Sequence, residues 1–133
     1  MADHDSRERF LMLAEATTGA YAYIASLLQE LPVPVIIPDL LQVVDDEGDT
    51  GEILLALNRV RTVISDEPIS ESRKRAFEHL VLDWFVAYEM VSITKLAGPA
   101  PWRLDCIEFA LVRITTWIET IEDDEEEPDG SQP

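Results

Sequence analysis

Apolar residues along this chain recur at three- and four-residue steps in long runs, separated by proline, glycine and acidic breaks, and this spacing predicts helices throughout. The first is expected over Ser6 to Glu30. Phe10, Leu13, Thr17, Tyr21, Ile24, Leu28 and Leu31 form its stripe, and Asp5 with Glu8 matches a capping box. Pro32, Pro34 and Pro38 then forbid helix and favour an extended path. Val33, Val35, Ile36 and Ile37 between them are large and apolar, so this connector is expected to lie across the core. Asp39 to Asp46 reads as a short helix and Asp45 to Asp49 as an acidic loop.

Thr50 to Ser65 reads as the next helix, with Asp49 and Glu52 as a second capping box and Ile53, Leu57, Val60 and Ile64 as its stripe. Asp66-Glu67-Pro68 ends it. Ser70 is placed to cap a helix running to Ala97. Phe77, Leu80, Val81, Trp84, Phe85, Tyr88 and Val91 share one side, while Leu82, Val86, Met90 and Ile93 occupy others. A helix apolar around most of its circumference belongs at the centre of a bundle. Gly98-Pro99 supplies a stop, and Pro101 opens the last helix, expected to reach about Glu122. Leu104, Ile107, Leu111, Ile114, Ile118 and Ile121 make a seam of alternating three- and four-residue steps, which suits a long near-parallel helix contact and predicts a homodimer. The fold class is therefore all-α: a compact bundle of four to five helices, an extended proline-rich connector and a disordered acidic C-terminal tail.

Charge alters this picture at the C-terminus. The chain has 133 residues and a net charge of -17. Seven of its 27 acidic residues fall in the last twelve positions: Glu122, Asp123, Asp124, Glu125, Glu126, Glu127 and Asp129. A helical domain over 1–121 followed by an acidic tail over 122–133 is the expected division. Acids at a helix C-terminus oppose its macrodipole, so fraying is expected from Glu122 onward. Such charge disfavours direct nucleic-acid binding, which needs cations to displace counterions, and favours a basic protein partner. Five of the ten bases, Arg59, Arg61, Arg73, Lys74 and Arg75, gather around the Asp66-Glu67-Pro68 turn as a candidate basic pole. It would accept an acidic partner, or the chain's own tail across a dimer.

Candidate chemistry is sparse. Arg73 and His79 on the third long helix resemble the Arg-x(4–6)-His signature of HEPN-family ribonucleases, small all-α domains whose Arg and His act on RNA at a dimer cleft. The resemblance covers residues 73 to 79 and would imply RNA cleavage. However, a six-residue separation puts the two side chains about 240° apart on an ideal helix, and the family's polar residue after Arg is Lys74 here. Glu119 and Glu122 form a Glu-x-x-Glu pair similar to the magnesium-binding spacing of all-α nucleotide pyrophosphohydrolases. Glu78 and Asp83, the nearby acids for a second pair, do not share a face. His4, His79 and Cys106 form no recognised zinc spacing, and no phosphate-binding glycine loop occurs. No cofactor, metal or catalytic residue is expected, and Cys106 reads as a small core residue.

One cysteine, no signal-like N-terminus and no apolar run approaching about 18 residues point to the cytoplasm, without a membrane span. The functional expectation is a non-enzymatic acidic adaptor, assembly or regulatory protein that binds a basic partner, with mimicry of phosphate charge as one mode. The alternatives are a HEPN-like ribonuclease or its inactive relative, and a structural subunit of a larger assembly.

Overall fold

The computed structural model describes residues 2–39 and 50–126, with side chains for 4–39 and 51–123. Four helices carry the described chain: α1 (Ala2–Gln29), α2 (Thr50–Ile64), α3 (Glu71–Ala97) and α4 (Pro101–Glu126). No strand occurs among the described residues, so the connector is irregular. The expected short helix at 39–46, the acidic loop and the Asp49 cap fall mainly outside the described residues.

α3 is the central element, packing on α1, α2 and α4, while α4 also packs on α1. Its buried side includes Phe77, Leu80, Val81, Trp84, Ala87 and Val91. Trp84 is fully buried. Its indole Nε1–H donates to the Thr17 carbonyl of α1 at 2.9 Å, and its ring packs on Tyr21 and Tyr88. The Thr17 hydroxyl, also buried, donates back to the Leu13 carbonyl, so the polar atom does not enter the core unpaired. The expected α1 stripe is the buried side of that helix, with Leu13 half-buried at its edge.

The helix limits follow from local chemistry. The Ser70 hydroxyl caps α3 by accepting the Arg73 N–H at 3.1 Å, and Glu71 complements the positive end of the helix. At the other end Gly98 has φ 106°, a conformation that a Cβ disfavours, and its N–H donates to the Thr94 carbonyl. α1 begins at Ala2 rather than Ser6, so Asp5 lies inside the helix and is not its cap. Acidic side chains in the opening turns favour that earlier start through the helix dipole.

α4 departs most from expectation. It continues through Glu126, so the division after residue 121 falls inside a helix. Ile121 is fully buried, and Glu122 accepts a hydrogen bond from the Tyr23 hydroxyl of α1. These contacts hold the turn that charge alone would loosen. The seam is consumed within the chain: Leu104, Ile107, Ile114 and Ile121 are buried and Leu111 and Ile118 are half-buried against the core. It is therefore not the free dimer surface that its spacing suggested.

The connector does touch the core. Ile37 is buried and Val35 half-buried, whereas Val33 and Ile36 face solvent. The Tyr21 hydroxyl donates to the Pro38 carbonyl at 2.5 Å. Glu67, a carboxylate only 3% exposed, accepts the Val33 N–H at 3.1 Å and ties the connector to the α2–α3 turn.

Candidate interaction surfaces

α1 and α4 run parallel, and ion pairs and hydrogen bonds at both ends fix their register. Near the start, Arg9 Nη2 reaches Asp105 Oδ1 at 3.0 Å and Glu108 Oε1 at 2.6 Å. Fourteen residues along α1, Tyr23 meets Glu122. The hydrogen bond from Arg9 to Asp105, then that to Glu108, pushes the guanidinium above its ordinary range. The bond to Glu122 likewise raises the Tyr23 phenol. Each contact thus favours the protonated form of its donor.

Between these clasps lies a groove of about 410 Å³. Ala16, Gly19 and Ala20 of α1 form one wall; Leu111, Ile114 and Ile118 of α4 supply apolar surface opposite them. The groove exists because α1 offers small side chains here. A Cβ built on Gly19 would meet nothing within 4 Å.

Sequence reasoning missed this face, although two signals mark it. From Phe10 to Gln29 the one charged residue is Glu15. Threonine, glycine, alanine, serine and tyrosine interrupt the apolar run there without adding charge. The expectation that no apolar run approaches about 18 residues looked at uninterrupted runs and so passed over this helix. From His4 to Gln29, α1 is long and apolar enough to cross a membrane by length and composition, with mean hydropathy 1.2 over its best window, 33% of which is buried. The core helix of a soluble protein can meet the same criterion. The second signal is on α4, where Asp105, Glu108, Val112, Thr115, Glu119 and Glu122 repeat at 3, 4, 3, 4 and 3 residues beside the buried seam.

The candidate tail residues divide. Glu122 joins the groove, Asp123 is exposed, and Asp124, Glu125 and Glu126 continue the α4 backbone. Glu127 and Asp129 lie outside the described residues. The candidate basic pole assembles in part: Arg61, Lys74 and Arg75 line one depression with Glu71 and Glu78. Arg61 pairs with Glu78 at 3.0 Å and Lys74 with Glu71 at 3.5 Å, so much of its charge is neutralised internally. Lys74 also donates to the Ser65 carbonyl, closing the α2–α3 turn. Arg59 is exposed and does not line this depression.

His79 stacks on Trp117, with ring centroids 4.6 Å apart and planes at 14°. Trp117 Nε1–H donates to Asp83, whose carboxylate also pairs with Arg113. This cluster joins α3 to α4, and Asp83 is engaged in it instead of forming a second metal-binding pair. No group of three His, Cys, Asp or Glu side chains is placed to hold a metal among the described residues. Cys106 is exposed, not in the core, because it lies away from the buried α4 seam. Trp102 is 58% exposed with the Arg103 guanidinium 4.5 Å from its ring centre, and Phe109 is 66% exposed. Thus the tryptophans divide among a buried site at Trp84, the α3–α4 junction at Trp117 and the surface at Trp102.

No protein-family model matches the chain, and neither the curated proteins nor the solved structures yield a match.

Proposed function

We propose that this chain is a non-enzymatic interaction protein whose acidic surface engages a basic protein partner. The observation that carries this reading is the α1–α4 face, where Asp105, Glu108, Glu119 and Glu122 flank an apolar groove. Carboxylates so arranged attract a cationic surface over about 8 Å at physiological salt and accelerate its encounter. Where the partner normally binds nucleic acid, the same carboxylates occupy its cationic surface in place of phosphate. The ribonuclease alternative is less favoured because the His79 ring is taken up by stacking on Trp117. Homodimerisation belongs to the same proposal, with Val86, Ile93 and Leu96 of α3 and Trp102 and Phe109 of α4 as the exposed apolar side chains for it.

Competition with RNA tests the central reading. A fluorescent arginine-rich peptide is first bound to duplex RNA, and the full-length protein is added at several salt concentrations. Displacement that weakens as salt rises supports the proposal. Failure to displace the peptide at low salt, or direct binding of the protein to RNA, refutes it.

A further inference from the structure

We propose that the α1–α4 groove is the docking site for an amphipathic helix of the partner, carrying an apolar stripe at its centre and Lys or Arg about two turns to either side. This inference rests on the acidic-interaction reading above and assigns that reading a location and a ligand shape. The distance from the Arg9 clasp to the Tyr23 clasp is fourteen residues of α1, about 21 Å or four helical turns. That is enough length for a helix-in-groove contact, in which side chains at three- and four-residue steps enter the groove.

The α4 stripe defines what such a helix must carry. Val112 and Thr115 occupy its middle, with Asp105 and Glu108 toward one end and Glu119 and Glu122 toward the other. An apolar centre between cations complements this order, whereas uniformly basic charge leaves the middle unmatched. On α1, Met12 is 69% exposed and Tyr23 46% exposed, and between them come Ala16 and Gly19 without a charge on the groove wall. An exposed helix side normally carries charge, and small side chains permit close approach of another backbone. The open space beside Gly19 is where that approach would occur.

The charge order also selects among occupants. A second copy would bring the same acidic face, and its Arg61 and Lys74 are already paired with Glu78 and Glu71. An anionic membrane would meet repulsion from the carboxylates on both flanks. A cationic helix meets opposite charge at Glu119 and Glu122, while Asp105 and Glu108 already share Arg9.

The test uses the full chain and two fluorescent peptides of about 18 residues. One has an apolar stripe flanked by Lys and Arg; the other has the same composition in an order that abolishes the stripe. The amphipathic peptide should bind at least tenfold more tightly and saturate at one per chain. Gly19→Leu should weaken it at least tenfold without lowering the melting temperature, and Glu119→Lys should weaken it with a shallower salt dependence. If Gly19→Leu lowers the melting temperature, Ala16→Leu and Glu119→Lys decide. Equal binding of both peptides, unchanged in these variants, overturns the groove assignment and leaves the acidic-interaction reading intact. Binding of neither peptide overturns both. Binding to phosphatidylglycerol vesicles, with no peptide binding, reassigns the face to a membrane and overturns the proposal.

Discussion

Two glycines should respond to alanine with opposite signs. Gly19 lies in the interior of α1 with helical backbone and open space where a Cβ would project. Glycine costs about 1 kcal/mol relative to alanine at such a position, mostly through backbone entropy. Gly19→Ala should therefore stabilise the fold by about 1 kcal/mol, or about 4 °C in Tm for a domain of this size. Gly98 also has open space around it, but its φ of 106° and ψ of 153° belong to a region that side chains avoid. Its backbone cannot relax freely. The N–H is bonded to Thr94 O at 2.8 Å, and the carbonyl accepts both the Ala100 N–H and Arg103 Nη1. Gly98→Ala should destabilise by about 1–3 kcal/mol. Urea unfolding followed by circular dichroism measures both, with the midpoint moving in opposite directions at constant m. Loss of more than 1 kcal/mol in Gly19→Ala would mean that the α1 wall is closely packed. It would refute the open groove along with the sign of the prediction.

Further expectations concern the core and the end of α4. Trp84→Phe removes the hydrogen bond to Thr17 and leaves a partial cavity, so it should cost about 2–3 kcal/mol in urea unfolding. Burial, and then the Asp39 charge, push the Tyr21 phenol up to about 12 from 10.0. Because the folded state holds this proton more tightly, the associated stability is intact below pH 10 and is lost between pH 10 and 12, to the extent of about 2 kcal/mol. Tyr21→Phe should flatten that decline, as read from unfolding free energy against pH. Truncation after Glu126 should leave Tm within a few degrees of the full chain, whereas truncation after Thr120 removes fully buried Ile121 and should cost about 2–4 kcal/mol.

The helices were legible because each repeats apolar residues on one side over several turns. Ser70, Gly98 and Pro101 mark limits that the backbone observes, since each satisfies or disfavours a specific local conformation. The α1 start was less legible because the capping signal at Asp5 competes with Asp3, which favours an earlier first turn. The end of α4 was misjudged because local charge pointed to fraying while tertiary contacts at Ile121 and Glu122 extend the helix. The seam reveals a deeper ambiguity: its spacing shows that α4 has a long helical neighbour without showing whether that neighbour is in the same chain. Glu67 was illegible for a related reason, since its hydrogen-bond donor at Val33 lies 34 residues away.

The groove leaves little trace in the sequence because its α1 wall is built from small residues. Ala16, Gly19 and Thr115 are weak signals individually, and their meaning arises where α1 and α4 lie side by side. The local acid count similarly drew attention to the tail, while Asp105, Glu108 and Glu119 form an acidic surface along the folded helix. The basic pole was visible as a cluster of cations, but its pairing with Glu71 and Glu78 required the turn that brings α2 against α3.

Chemical-shift mapping is the most direct test of the interaction surface. Isotope-labelled full-length protein is titrated with the amphipathic basic peptide, and its amide resonances are followed to saturation. Changes should centre on Ala16, Gly19, Thr115 and Glu119, with Arg61, Lys74 and Arg75 unmoved. Saturable changes centred instead on that basic pole, or on Val86, Ile93 and Phe109 across the α3–α4 face, would contradict the groove assignment.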